Sequence, residues 1–278
     1  MHDRIRRAHP FLRNDGVIFI SINEIQRAEL DWQMRAIFAP ENRVEELIWA
    51  RDTVSNNAPA YSTNHEYIEA FARNRKAIES QRRMFRGTRP GYHEVINLIE
   101  SANKEYPSTA DVEARLAELY RNHAREEKLN AQQRGESGAE AKKNDLWKGL
   151  YPYKHVEYRT PDGRLVGQDL ARENQAQLWV YREVEPSMPS GKQASSIKDP
   201  SSDNYRFYTP PHPKTGKPCK PPKRGWAFPE REAGARPSFE KYLDEDRIIF
   251  KENESFIPQL KYFLHEVESV VATSVIRQ

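Results

Sequence analysis

The sequence predicts an α/β fold, and three strand-like segments in the first 74 residues support this prediction. A mainly apolar, β-branched run from Val17 to Ile22 is typical of a buried strand, and we expect it to be a central parallel strand. Further strands are predicted from Val44 to Trp49 and from His65 to Arg73. A helix is predicted between the first two strands. Strand, helix and strand in this order are typical of an α/β sheet.

The helix between the first two strands has a start signal and an apolar face. Ser21 or Asn23 can cap its first turn, because a short polar side chain accepts a hydrogen bond from a free backbone amide there. The side chains predicted to point towards a core are Ile25, Leu30, Trp32 and Ile37.

Residues 75–145 are predicted to form a charged helical insert. One helix begins at Pro90, and its apolar face carries Tyr92, Val95, Ile96 and Ile99. A second helix begins after Ser108, which forms a capping box with Asp111. The polar run of residues 130–143 contains two glycines and is predicted to be a loop.

The last part of the chain alternates between irregular segments and short elements. Within residues 146–256, alternating side chains on either side of Asp162 and Gly163 predict a β-hairpin, and Arg247–Phe250 is predicted to be a short strand. Residues 257–278 are predicted to begin with a helix opened by Pro258. The apolar side chains of this helix are Leu260, Phe263, Leu264 and Val267.

Composition restricts the class of protein. The 278 residues are 31% charged with a mean hydropathy of -0.92 and a net charge of only +3, so binding to nucleic acid must be argued from local clusters of charge. The single cysteine, Cys219, excludes an internal disulfide framework and fits a reducing cytoplasm. The N-terminus has no apolar signal sequence, and no apolar run is long enough to span a membrane. We therefore expect a soluble cytoplasmic protein without a membrane partner.

Common metal and phosphate motifs are absent from the sequence. No two histidines have the i, i+4 spacing of a helical metal site with an acidic neighbour, and one cysteine cannot form a zinc cluster, so no metal site is predicted. The chain contains no G-x-G, so it has neither a dinucleotide fingerprint nor a P-loop. Thr209-Pro210-Pro211-His212 is faintly similar to a D-P-P-Y box, but its side chains are poorly suited to hold a flipped adenine.

The segment HPKTGKPCKPPKRGWAF, residues 212–228, is the clearest candidate for a functional surface, and we call it the basic loop. Its four prolines exclude a helix or a central strand. No acidic residue occurs between Asn204 and Pro229. Basic residues interleaved with aromatic rings suit contact with nucleic acid, through phosphate pairing and base stacking. A solvated proline-rich surface loop remains the alternative.

Six segments resemble, in order, the adenine-specific DNA methyltransferases of type III restriction–modification systems, the modification subunits. The segments are DGVIFISIN at residue 15, HEYIEAFARN at 65, PGYHEV at 90, YRFYTPPHPKTGKPCKPPKRGWAF at 205, DRIIF at 246 and IPQLKYFLHEVES at 257. The chain departs from the family pattern at Asn23, where Asp is usual, and at Lys251, where Gly is usual.

The resemblance implies a fold, a reaction and a methyl donor. Residues 1–74 would be part of a Rossmann-like class I methyltransferase sheet, and residues 146–256 an irregular α+β target-recognition region. The helix predicted in residues 257–278 would lead back towards the cofactor-binding part. The implied reaction moves a methyl group from S-adenosylmethionine to adenine N6. The family's D-P-P-Y box and F-x-G-x-G loop do not occur in the sequence, so no catalytic or cofactor-binding residue is assigned.

The resemblance also implies partners and DNA contacts. We expect a fragment that binds double-stranded DNA and is catalytically silent alone, with a second methyltransferase subunit, a restriction subunit or complementing fragments as further partners. The alternative is a non-catalytic DNA-binding or assembly module, a split-gene remnant. Trp226 has a rival role as the hydrophobic anchor of the loop. The predicted DNA-binding residues are Arg206, Tyr208, Lys214, Lys217, Lys220, Lys223, Arg224 and Trp226.

Overall fold

The computed structural model describes residues 1–50, 64–81, 84–190, 195–231 and 237–277, which form two compact units. The first unit comprises Met1–Thr88 and Ser269–Gln278, and the second comprises Arg89–Glu268. The first unit is therefore discontinuous in sequence. The two ends of the second unit meet, because the amide of Arg89 donates a 2.7 Å hydrogen bond to the carbonyl of Glu268.

The secondary structure alternates short strands with helices of very different length. The helices are α1 His2–Ala8, α2 Glu24–Phe38, α3 Arg75–Glu79, α4 Tyr92–Glu105, α5 Thr109–Gln133, α6 Gly138–Asn144, α7 Gln168–Ala171 and α8 Phe239–Asp244. The strands are β1 Val17–Ile22, β2 Arg43–Ala50, β3 His65–Ala72, β4 Arg86–Thr88, β5 His155–Arg159, β6 Leu165–Val166, β7 Gln177–Val184, β8 Ile248–Ile249, β9 Gln259–Phe263, β10 Ser269–Val271 and β11 Val275–Arg277. Within the described ranges no helix is long and apolar enough to cross a membrane.

The main sheet of the first unit has the strand order β1-β3-β2-β11. β3 is antiparallel to both β1 and β2, and β11 is parallel to β2. The prediction of a central parallel strand is therefore wrong for β1. Among the described strands, β1 is the first in this order, and its neighbour β3 is antiparallel to it. Its apolar run buries only one face, since Phe19 is 50% exposed. An apolar composition alone does not distinguish a central parallel strand from an antiparallel strand that buries one face.

α2 covers this sheet, and Asn23 begins it as predicted. The Oδ1 atom of Asn23 accepts a 3.2 Å hydrogen bond from the amide of Gln26. The core here is formed by Ile5, Leu30, Met34, Phe38 and Phe71. The prediction of core positions was correct for Leu30 and wrong for Ile25 and Trp32, which are 88% and 70% exposed. These two side chains lie outside the apolar stripe that actually faces β3.

A buried carboxyl group lies between β2 and β3. Glu69 is fully buried and pairs in register with Glu46 on the neighbouring strand. Nη2 of Arg43 lies 3.3 Å from Oε2 of Glu46 and 3.4 Å from Oε2 of Glu69. Burial, reinforced by the hydrogen bond to Glu46, raises the pKa of Glu69 to about 7 despite the opposing charge of Arg43. In the native state, Glu69 therefore keeps its proton to a much higher pH than an ordinary carboxyl group does.

This raised pKa makes the stability of the first unit depend on pH. The native-state pKa of Glu69 lies above the ordinary value of 4.5. The stabilising contribution of the protonated carboxyl group is therefore complete below pH 4.5 and is lost as the pH rises through about 7. Glu69→Gln is expected to raise the free energy of unfolding by about 1–3 kcal/mol at pH 8 and by little at pH 5. Urea denaturation of Glu69→Gln and of the exposed-strand control Glu45→Gln across this pH range tests the prediction. A constant offset from the wild type at every pH would contradict it.

The second unit contains an antiparallel sheet with the strand order β6-β5-β7-β9-β8. The predicted hairpin is confirmed as β5 and β6, with Gly163 at φ 88° in the turn, and the short strand is confirmed as β8. One face of the sheet packs against α4 and α5, and the apolar face predicted for α4 contributes to this contact. The centre of that core is formed by Val95, Leu116, Leu150, Val156, Leu178 and Val180.

Two sequence predictions are wrong in this part of the fold. Residues 130–143 are not a loop, because α5 continues to Gln133 and α6 begins after Ser137, whose capping box with Glu140 starts a new helix. The helix predicted from Pro258 is instead strand β9, followed by a 3-10 turn from Leu264 to Val267. The apolar spacing near Pro258 suits a helix, but pairing with β7 and β8, which are distant in sequence, decides the structure.

The opposite face of the second sheet carries a buried ion network. Oε2 of Glu157 lies 2.5 Å from Nζ of Lys261, and its Oε1 lies 2.6 Å from Nε of Arg159. Arg159 also donates to the carbonyls of Gly163, Glu245 and Asp246. Because these buried charges are paired, the network joins the hairpin turn to the segment before β8 without an isolated charge.

Candidate nucleic-acid interface

The basic loop has no helix or named strand, as predicted, but it is internally ordered. Residues 210–219 form a short turn structure that we call the basic hairpin. The amide of Cys219 donates to the carbonyl of Pro210 and the amide of His212 to the carbonyl of Lys217, both at 2.8 Å. At the tip, Gly216 has φ 64°, a conformation that glycine adopts easily. The prolines of the loop therefore flank a closed turn.

The side chain of His212 stabilises the basic hairpin through hydrogen bonds. Its ring is buried, and its Nδ1 accepts hydrogen bonds from the amides of Lys214 and Thr215 at 3.2 and 3.4 Å. Its Nε2 donates to the carbonyl of Lys251 at 3.2 Å. An Nδ1 that accepts and an Nε2 that donates define a neutral ring with its proton on Nε2. The ring thus fixes the turn to the segment that follows β8.

A carboxylate makes a second link between the same two segments. Oε2 of Glu254 accepts a 2.9 Å hydrogen bond from Oγ1 of Thr215, and its Oε1 lies 3.4 Å from Nζ of Lys217. Its own backbone amide first, and then Thr215 and Lys217, hold the pKa of Glu254 below its ordinary value. The carboxylate is therefore ionised at neutral pH.

The far end of the basic loop is anchored by stacked aromatic rings. Trp226 is fully buried, and its Nε1 donates a 2.8 Å hydrogen bond to the carbonyl of Tyr208. The two rings stack at a centroid distance of 5.2 Å and an interplanar angle of 11°. The hydroxyl of Tyr208 donates to the carbonyl of Phe228 at 3.2 Å, and burial raises the pKa of that hydroxyl far above its ordinary range. These contacts make Trp226 the hydrophobic anchor of the loop.

Gly225 lets the chain pass close to a neighbouring segment just before this anchor. Its φ is 81°, and a Cβ atom built there would lie 2.9 Å from the carbonyl oxygen of Arg206. The next amide, that of Trp226, donates to the same oxygen at 2.7 Å. A larger residue at position 225 would push the two segments apart and disturb the stacked rings.

The structure separates the eight predicted DNA-binding residues into two groups. Lys214, Lys217, Lys220, Lys223 and Arg224 are exposed. Trp226, Tyr208 and Arg206 are 0%, 4% and 5% exposed, so assigning them to direct DNA contact is corrected to a role in the core of this unit. Aromatic and basic residues lie close together in sequence here, but the hydrophobic effect selects the rings for burial.

The charges of the exposed group are mostly uncompensated. Within the described part of the chain, Lys217 pairs with Glu254, while the other four side chains form no ion pair. Nε of Arg224 lies 3.5 Å from Oγ of Ser187. Four free positive charges on a fixed loop are suited to phosphate oxygens.

Sequence reasoning missed the acidic partner of this loop. The loop itself has no acidic residue, but Glu254 reaches it from a segment almost 40 residues later, as does the backbone of Lys251. No local pattern indicates either contact, because both depend on the fold around β8 and β9.

The described residues offer few other reactive groups. They contain no cluster of three or more His, Cys, Asp or Glu side chains that could hold a metal ion. Cys219 is fully buried, and burial raises the pKa of its thiol, so the reactive thiolate is disfavoured. The basic loop is therefore the candidate site that the chemistry of the structure supports.

Comparison with known proteins gives a similarity to a subunit of a restriction-modification enzyme. No family model matches the chain. It is similar to a type III modification subunit, a class of protein consistent with its mixed α/β fold. That relative is the Mod subunit of the type III restriction-modification enzyme EcoP15I from Escherichia coli, with 23% identity over 278 residues. The match covers 99% of this chain and 33% of the relative, so the chain spans about a third of the relative's length.

Proposed function

We propose that this chain provides DNA target recognition to an adenine-N6 DNA methyltransferase of a type III restriction–modification system. The observation that carries the proposal is the basic loop, whose cations are exposed while its aromatic rings are buried. Similarity to a modification subunit along nearly the whole chain supports it. Double-stranded DNA is the proposed substrate because the exposed cations are suited to phosphate oxygens, and one or two of them would reach a guanine edge.

The rigidity of the loop supports a role in recognition. His212 and Trp226 hold its two ends through buried contacts, and prolines restrict the backbone between them. A surface that is already ordered loses less conformational entropy when it binds. The loop therefore presents its charges in one arrangement to DNA.

The remaining parts of the chain have proposed roles in the same enzyme. Residues 1–74 would be part of the methyltransferase core, residues 75–145 an insert and residues 146–256 the target-recognition region. S-adenosylmethionine would supply the methyl group. Among the described residues, no glycine follows a strand of the first sheet to form a turn that admits this cofactor, so none is assigned to it. A second modification subunit and a restriction subunit are proposed as protein partners.

A DNA-binding or assembly module without methyl transfer is the second candidate. One observation favours it: the basic loop and all its anchoring contacts belong to the second unit, so the DNA surface needs nothing from the first sheet. The two candidates share the DNA surface and differ only in chemistry.

DNA binding and methyl transfer test the proposal separately. We expect the purified chain to bind a duplex of about 30 base pairs, with a slope of log K against log salt of roughly -3 to -5. The measurement is fluorescence anisotropy between roughly 50 and 300 mM salt. We expect no transfer of labelled methyl from S-adenosylmethionine to adenine by the chain alone. Salt-independent or undetectable binding would contradict the DNA-binding proposal, and transfer by the chain alone would contradict the absence of assigned catalytic residues.

A further inference from the structure

The tip of the basic hairpin presents two hydrogen-bond donors to one anion. Oγ1 of Thr215 and Nζ of Lys217 contact different oxygens of the Glu254 carboxylate, at 2.9 and 3.4 Å. Gly216 lies between them with a positive φ. A hydroxyl and an ammonium group that contact two oxygens of an anion are the donors that a phosphodiester also accepts from proteins. The carboxylate therefore occupies the position that a phosphate could take.

We propose that the turn Thr215–Lys217 is a phosphodiester-binding subsite, which Glu254 occupies in the free protein and which a DNA phosphate takes over on binding. The inference rests on the proposed function, that the basic loop binds duplex DNA. The turn would then act as a competitive latch: each DNA phosphate that enters it must displace an internal anion.

The geometry lets the carboxylate leave without disturbing the turn. The side chain of Lys217 is 70% exposed, and its 3.4 Å contact with Glu254 is longer than a strong charged hydrogen bond. The buried ring of His212 holds the backbone of the same turn independently, through the amides of Lys214 and Thr215. Displacement of Glu254 therefore exposes a formed site.

The latch has a measurable consequence for affinity. A DNA phosphate that enters the turn must break the contacts of Glu254 with Thr215 and Lys217, and this cost lowers the affinity of the wild type. Removing the charge of Glu254 is therefore expected to tighten duplex binding about 5- to 10-fold at roughly 100 mM salt. Removal of Lys217 should abolish this gain, because the carboxylate and the phosphate compete for the same ammonium group.

The test compares the full-length variants Glu254→Gln and Glu252→Gln in DNA anisotropy titrations, each in the wild-type and Lys217→Ala backgrounds. Glu252 is exposed on the same segment, so its variant removes the same charge without a contact to the turn. We expect the gain only for Glu254→Gln and only when Lys217 is present. Thr215→Val, which keeps the shape and removes the hydroxyl, is expected to weaken binding about 2- to 3-fold as a second measure of the subsite.

The outcomes separate this inference from the function on which it rests. If Glu254→Gln and Glu252→Gln change affinity equally, or if Glu254→Gln weakens binding in protein of unchanged thermal midpoint, the latch is wrong while DNA binding by the loop stands. If the gain persists in the Lys217→Ala background, the phosphate does not use this turn. If neither the wild type nor any variant binds duplex DNA, the proposed function fails and the inference fails with it.

Discussion

A quadruple alanine variant of the basic loop is expected to weaken duplex DNA binding by roughly 100- to 1,000-fold at about 100 mM salt. The reason is counterion release: each lysine or arginine that neutralises a phosphate adds about 0.9 to the salt slope, so four losses remove most of the electrostatic affinity. The salt slope should fall by about 3 to 4 in the same anisotropy titrations. The replaced residues are Lys214, Lys220, Lys223 and Arg224, all exposed and without an ion pair in the described chain.

A charge-matched control distinguishes a specific surface from a general loss of positive charge. The control variant replaces four exposed residues of α5 and α6, which also removes four positive charges; they are Arg121, Arg125, Lys142 and Lys143. We expect its affinity to remain within about 5-fold of the wild type, since long-range effects of surface charge are screened by salt. Equal losses for the two variants would mean that the basic loop is not the DNA surface.

Replacement of the loop's anchor is expected to have the largest effect on stability. Trp226→Ala removes a fully buried ring, its stacking on Tyr208 and the hydrogen bond from Nε1. Large-to-small changes of this kind cost about 3–5 kcal/mol, because the lost burial and the new cavity both disfavour the native state. Urea denaturation followed by circular dichroism should therefore show earlier unfolding of the second unit. DNA binding should also fall, because the loop loses one of its two fixed ends.

Two further tryptophan variants define the cause of this effect. Trp226→Phe keeps an aromatic ring and loses only the indole donor and some volume, so we expect a smaller cost of about 1–2 kcal/mol. Trp32→Ala removes the same side chain from a site that is 70% exposed, and should change the unfolding free energy by about 0.5 kcal/mol or less. A Trp226→Ala protein as stable as the Trp32→Ala protein would show that the ring is not an anchor.

Local patterns in the sequence were enough to predict much of the fold. The extents of β1, β2 and β3, the cap by Asn23 and the hairpin around Gly163 all depend on residues close together in sequence. Proline content likewise predicted the irregular backbone of the basic loop. The stability of each of these features depends mainly on nearby side chains and on the preferred backbone conformations of the residues themselves.

Several of the errors arise where distant segments meet. Pro258 and the apolar spacing after it predict a helix, but that segment is a central strand because it pairs with β7 and β8. In the same way, no local sequence pattern around Glu254 or around Thr215 predicts the contact between them. The position of Trp226 in the core rather than on the surface was also not fixed by sequence, since both roles suit an aromatic residue beside basic ones.

The discontinuous first unit has a consequence for how such proteins can change. The second unit begins after Thr88 and ends before Ser269. A hydrogen bond between Arg89 and Glu268 joins its two ends. A segment whose two ends lie side by side can be exchanged for another with similar ends while the flanking sheet keeps its own pairing. The basic loop and its supports thus lie in one continuous stretch of gene, and under the proposed function the replacement of that stretch would change which DNA is bound.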